Sequence, residues 1–130
     1  MRIIIDNSIW VRCLLRESFM DYVQDSLDGH VLLISDDLLA ELLKKSVDPR
    51  LKSRYWDPYA TELLGYIARK GTMIPVTTVI KACRDPNDDY LLALAFDGNA
   101  DYLITGDKDL LDMGSFGETL IRPVDDLHLV

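Results

Sequence analysis

The sequence predicts an α/β fold with a mainly parallel central sheet of four to five strands, and three observations carry that prediction. Short apolar runs alternate with stretches of helical character along the whole chain. The first run, Arg2–Ile5, is β-branched and apolar on both faces, the pattern of a strand buried within a parallel sheet. The 130 residues are 48% hydrophobic and 28% charged, with seven Gly and five Pro spread thinly, so residues 1–130 read as one domain with no linker or repeat.

Arg2–Ile5 is the first strand. Ile9–Arg16 and Phe19–Leu27 follow as helices, the second closed by Gly29, and Val31–Ile34 is the second strand. Ser35 is placed to cap a helix over Asp36–Lys45, whose acids come first and lysines last, the order the helix dipole favours. The segment KKSVDPRLKSRYWDP reads as a basic, aromatic connection to a helix over Tyr59–Lys70 that Gly71 stops. Thr72–Val76 is the third strand, and Asp88–Asp97 is a helix capped at Asp88 and ended by Gly98. Tyr102–Thr105 is the fourth strand, GDKDLLD opens a short helix, and Thr119–Arg122 is the fifth strand.

A net charge of −8 runs against phosphate binding, yet a surplus of acids is also what carboxylates gathered around a divalent cation produce. The longest strongly apolar run, Tyr90–Phe96, is too short to span a bilayer. Asp6 interrupts the only apolar stretch near the N-terminus, which argues against a secretory signal. Cys13 and Cys83 lack CxxC spacing and read as reduced thiols of a cytoplasmic protein. His30 and His128 are isolated, so neither a zinc pair nor a histidine acid–base couple is expected.

Sites in parallel α/β sheets form beyond the carboxyl ends of the strands, and four stretches put acids there. Asp6 follows three isoleucines, where a carboxylate is partly desolvated and must find partners. Glu41 lies in the helix after the second strand, on the same side as Asp37. Asp88 and Asp89 begin the helix leading into the fourth strand, and Asp107 and Asp109 follow that strand in ITGDKD. Singly, each has a structural explanation: helix caps for Asp88 and Asp107, a solvated face for Glu41. Converging on one sheet edge, they repel one another unless a cation neutralises them. Ligands that are all oxygen suit Mg²⁺ or Mn²⁺ rather than Zn²⁺, and such ions handle phosphates. Phosphodiester hydrolysis is the reaction class these residues suggest.

Four blocks, RIIIDNSIWV, ISDDLLAELLKK, RDPNDDYLLALAF and ADYLITGDKDLL, together resemble the PIN-domain family. Its members are mostly metal-dependent ribonucleases, and often the VapC-like toxin components of type II toxin–antitoxin pairs. The order and spacing of the last two blocks are the most specific part. The resemblance implies a three-layer α/β/α sandwich and endonucleolytic hydrolysis of RNA. It places the family's acids on Asp6, Glu41, Asp88 and Asp107, with Asp109 a close supporting acid and Asp89 the alternative to Asp88. Asp6, Asp88 and Asp107, with Asp109, would hold one or two Mg²⁺ or Mn²⁺ ions. Glu41 would complete the shell or orient the attacking water, and Ser8 and Thr105 would hydrogen-bond carboxylates or substrate phosphate. Where the family commonly has Thr or another small residue after its first acid, this chain has Asn7, and RPVDDLHLV matches the family's ending only loosely. A cognate antitoxin comes with the resemblance, and a homodimer is left open.

Two stretches carry paired readings. Lys44, Lys45, Arg50, Lys52 and Arg54 either track an RNA backbone, with Tyr55 or Trp56 stacking a base, or form a solvated basic loop. Large apolar residues over Trp10–Leu15 and Phe19–Val23 either form a dimer or antitoxin surface or pack inward. A phosphorelay receiver domain is the rival from another class. It needs an Asp after the third strand, where Thr77 and Thr78 stand, and a Lys after the fifth, where Arg122-Pro123 stands. A PIN-like module that binds RNA or protein with little turnover is the other alternative. The filling of all four acid positions argues against it.

Overall fold

A computed structural model describes residues 1–130. The apolar runs form β1 (Arg2–Ile5), β2 (Val31–Ile34), β3 (Gly71–Met73), β4 (Tyr102–Ile104), β5 (Ser115–Phe116) and β6 (Thr119–Arg122). The helices are α1 (Asn7–Leu15), α2 (Glu17–Leu27), α3 (Asp36–Ser46), α4 (Pro49–Lys52), α5 (Asp57–Lys70), α6 (Asp89–Asp97) and α7 (Lys108–Met113). They flank one six-stranded sheet of order β3-β2-β1-β4-β6-β5, parallel except for the β5–β6 hairpin. This is the α/β architecture expected, with one strand more.

The strand order determines where a site can lie. From β1 the chain crosses to β2 on one side, while β4 pairs with β1 on the other. The crevice beyond the carboxyl ends of β1 and β4 is therefore the topological switch point of the sheet. Register places Ile5 opposite Ile104, so Asp6 and Thr105 leave their strands side by side. The Asp6 N–H completes the ladder by donating to the Ile104 carbonyl at 2.9 Å.

One continuous core holds the sheet and helices together. Ile3, Ile4 and Ile5 are fully buried, as are Trp10, Cys13, Val23, Leu27, Leu91 and Leu92. Trp10, Cys13, Leu14, Met20 and Val23 pack into the core, while Val11, Leu15, Phe19 and Tyr22 of the same stretches stay partly exposed. Phe19 stays half-buried under the Arg12 guanidinium, 4.2 Å from its ring centre. No helix is long and apolar enough to cross a membrane. The two cysteines are unpaired, and burial pushes the Cys13 thiol up to about 12.

The expected element boundaries moved where local signals compete with packing. Ser35 caps α3 by accepting the Leu38 N–H, as its position suggests. The third strand stops at Met73 instead of Val76, because after Ile74 donates to the Ile34 carbonyl, Pro75 has no N–H to continue the ladder. Gly71 must be glycine there: a Cβ would stand 2.5 Å from Ile34 Cδ1 and 2.6 Å from the Ile67 carbonyl oxygen. The basic connection contains one turn of helix, α4, because the Asp48 carboxylate caps Arg50 N–H and Pro49 opens the turn. The two-residue strand β5 is too short to leave a periodic trace in the sequence.

Candidate metal-binding active site

Asp6 is 5% exposed, at the end of β1, and its partners are built into the fold. The Thr105 hydroxyl donates to Asp6 Oδ2 at 2.6 Å, and Ser8 Oγ donates to the same oxygen at 3.3 Å. Thr105 Oγ1 also accepts the Asp107 N–H at 3.0 Å, so one buried hydroxyl ties the carboxyl ends of β1 and β4 together. Asp107 then caps α7 by accepting the Asp109 N–H at 2.8 Å. Its capping role and its place at the site are thus compatible.

Asp88 departs from the capping role expected of it. A 3-10 turn over Pro86–Asp88 precedes α6, Asp85 accepts the Asn87 N–H, and the Asp88 side chain caps nothing. Its Oδ2 is buried without any hydrogen-bond partner. Its neighbour Asp89 turns away and accepts the N–H groups of Ala82 and Cys83 at 3.1 and 2.8 Å. Those bonds hold the Asp89 carboxyl below the usual carboxylate range. Of this adjacent pair, Asp88 faces the site and Asp89 anchors a loop.

Asp6, Glu41, Asp88 and Asp107, from four separate segments, border a single cavity of about 680 Å³. Ser8 is on its wall as well. Asp109 is not: it pairs with Arg84 at 3.2 Å, which also takes Asp112 at 2.8 Å. Asp37 shares the exposed flank of α3 and borders a different depression with Tyr90 and the 76–80 segment. Arg12, Asp85, Asn87 and Tyr90, which are not among the residues expected at the site, also line the acidic cavity. Helical spacing carried the signal for one of them, since Ser8 and Arg12 stand one turn apart on α1.

Asn7 is fully buried and does not reach the cavity. Its Nδ2 donates to the Leu38 carbonyl and to the Tyr90 hydroxyl, each at 3.1 Å, joining α1 to α3 and α6. The residue after the first acid is therefore a strut between the helix that carries Glu41 and the helix that Asp88 directly precedes.

Three of the acids interact electrostatically. Burial, then a hydrogen bond with Asp107, then the charges of Asp107 and Asp6 push the Asp88 carboxyl up to about 7. The same interaction holds Asp107 below the usual range, so the two carboxyls titrate as a pair that holds on to one proton more tightly than a free carboxylate does. No three acidic, histidine or cysteine side chains are gathered closely enough to cage an ion as they stand. The donor set nonetheless fits a hard divalent cation: it is all oxygen, it includes a buried unpartnered carboxylate oxygen, and a proton supplies the positive charge its closest pair requires.

This raised carboxyl makes stability depend on pH. Between about pH 4 and about pH 7 the folded chain keeps a proton that the unfolded chain has released, so metal-free stability falls as pH rises through that window. We expect Asp88→Asn to flatten this decline and to unfold later than the parent at about pH 8 in EDTA, by about 1–2 kcal/mol after allowance for solvent screening. Thermal melts at about pH 5 and about pH 8 check it. An Asp88→Asn protein that melts below the parent at the higher pH contradicts a strained carboxylate.

The fold resembles that in the crystal structure of VapBC2 from Rickettsia felis bound to a DNA fragment from their promoter. The TM-score is 0.61 and the identity 14%, over 95% of this chain and 98% of that one. No curated protein matches the chain in sequence. The sequence pattern that defines the PIN domain matches residues 2–109, a span that holds every acid lining the cavity, and the chain belongs to the PIN domain family.

Proposed function

We propose that this chain is a Mg²⁺- or Mn²⁺-dependent endoribonuclease acting in the cytoplasm as the toxin component of a type II toxin–antitoxin pair. One observation carries the reading: four acids from four segments line one cavity, one of them with a buried, unpartnered oxygen. Membership of the PIN domain family supports a nuclease, and the likeness to a VapBC2 complex supports an antitoxin as partner.

Asp6, Asp88 and Asp107 are the residues that would hold the ion. A bound divalent cation supplies a water of lowered pKa and neutralises charge that builds on the phosphodiester. Glu41 lines the same cavity from α3 and would orient the attacking water and accept its proton. Thr105 and Ser8 hold Asp6 in a single orientation, which reduces the reorganisation required during reaction. Water oxygen bonds to phosphorus, the bond from phosphorus to the leaving ribose oxygen breaks, and that oxygen takes a proton.

The test is cleavage of labelled RNA by the purified chain. We expect cleavage with Mn²⁺ or Mg²⁺, none in EDTA, and products without 2′,3′-cyclic ends, because water and not the 2′-hydroxyl attacks. Cleavage that persists in EDTA sinks the metal mechanism. A folded chain that binds RNA but never cuts it with Mn²⁺ would be a binding module instead.

A further inference from the structure

Two hydroxyl side chains stand on the wall of the acidic cavity, Ser8 and Tyr90. Ser8 donates its proton to Asp6 and is already engaged. Tyr90 differs. It lies in the first turn of α6, two residues after Asp88, and is half-buried where it borders the cavity.

Asn7 decides where the Tyr90 proton can go. The Leu38 carbonyl can only accept, so the atom of the Asn7 amide that faces it at 3.1 Å is the nitrogen. That nitrogen gives its second hydrogen to the Tyr90 oxygen, also at 3.1 Å. The phenol oxygen therefore accepts from Asn7, and its own proton, directed away from that bond, has no acceptor in the protein. Its surroundings are acidic. Burial, then the charge of Asp6, push the phenol above its usual range, and Glu41 and Asp88 add to the rise. Three acids of the cavity wall thus act on this one hydroxyl. A phenol is a donor at neutral pH even without such help. Once a cation matches the charge of the acids, the anion left to face that donor is the phosphodiester.

We propose that Tyr90 is a catalytic residue whose hydroxyl donates a hydrogen bond to a non-bridging oxygen of the scissile phosphate, and that Asn7 is the positioning residue that directs its proton. This rests on the ribonuclease reading of the same site and adds a donor for the charge that builds as water attacks phosphorus. The phenol transfers no proton and is neutral before and after the step. Because Asn7 is fully buried and held to Leu38, the direction of the donor is set before substrate arrives, and no reorganisation is needed during reaction.

The experiment starts with Tyr90→Phe, which removes one oxygen and keeps the ring. Single-turnover cleavage of a short RNA with Mn²⁺ should slow by roughly 10- to 100-fold, while the RNA and Mn²⁺ concentrations for half-maximal rate each stay within about threefold of the parent's. The rise in melting temperature that Mn²⁺ confers should be the same in both proteins, which reads the ion site apart from cleavage. The second arm uses RNA carrying one phosphorothioate at the bond the parent cuts, as separated Rp and Sp forms. Sulfur accepts hydrogen bonds poorly, so one form should slow the parent roughly fivefold or more beyond its effect on Tyr90→Phe. A tyrosine that only packs would leave both sulfur effects unchanged. Asn7→Ala should slow the parent roughly tenfold and the Tyr90→Phe protein hardly further, each assayed below its melting temperature.

A Tyr90→Phe protein that cuts at the parent's rate, sulfur effects equal in parent and variant, or a loss traced to a weaker Mn²⁺ midpoint each overturns the phosphate contact. Should Tyr90→Phe not fold, a parent that cuts the Rp and Sp forms equally overturns it as well. Losses from Asn7→Ala and Tyr90→Phe that multiply remove Asn7 from its positioning role. A parent that does not cut RNA with Mn²⁺ overturns the ribonuclease reading and this proposal together, whereas failure of the Tyr90 arms alone leaves that reading standing.

Discussion

Asp6→Asn is expected to lower Mn²⁺-dependent RNA cleavage by on the order of 10³-fold while leaving the protein as stable as the parent or slightly more so. The amide oxygen can still accept from Thr105 and Ser8, so the hydrogen bonds at the end of β1 survive the change. The negative charge does not. Its loss relieves repulsion on Asp88, one of the forces that push that carboxyl up to about 7, and removes one of the three acids proposed to hold the ion. Rate constants measured across Mn²⁺ concentrations, alongside a thermal melt, separate the two effects. A variant that cuts RNA within about tenfold of the parent would remove Asp6 from the mechanism. One that unfolds far earlier would mean the carboxylate is structural.

Asn7→Asp should destabilise the fold by about 3 kcal/mol or more near neutral pH. Nδ2 now donates to the Leu38 carbonyl and to the Tyr90 hydroxyl from a fully buried position. A carboxylate there faces the Leu38 carbonyl with no hydrogen to offer and adds a second buried charge next to Asp6. Because burial disfavours its ionised form, the deficit should shrink as pH falls toward about 4 and the carboxyl takes up a proton. Asn7→Ala loses both bonds without burying a charge, and should cost about 1–3 kcal/mol at any pH. Denaturant melts of both variants across pH check the pattern. An Asn7→Asp protein as stable as the parent at neutral pH would mean that Asn7 is not the strut its contacts indicate.

The acids taken as site candidates divide according to how their neighbourhoods form. Asp6 and Asp107 could be located from the sequence, because each directly follows an apolar strand and the carboxyl edge of a parallel sheet is where such a residue must emerge. Glu41 needed only the helix after β2 and its period. The choice between Asp88 and Asp89 was not available locally. Both stand at the start of α6, and only the folded 82–83 segment, with two free N–H groups, draws Asp89 away. The partner of Asp109 was equally out of local reach: Arg84, 25 positions earlier, pairs with it and Asp112 together.

Strands and helices were legible because their signals are short-ranged: β-branched runs, helical periodicity, an N-cap serine and a closing glycine act within a few residues. That is why β1, β2, β6 and the body of every long helix lie where the pattern puts them. The family likeness, too, resides in four local blocks in a given order. What required the tertiary structure depends on residues far apart in the chain. Thr105 meets Asp6 across 99 positions, Asn7 meets Tyr90 across 83, and the cations of α1 and α3 come to one cavity wall. A carboxylate's direction is set by whichever donors the fold brings within reach, and burial decides which of them must be satisfied. Neither quantity exists until the chain has packed.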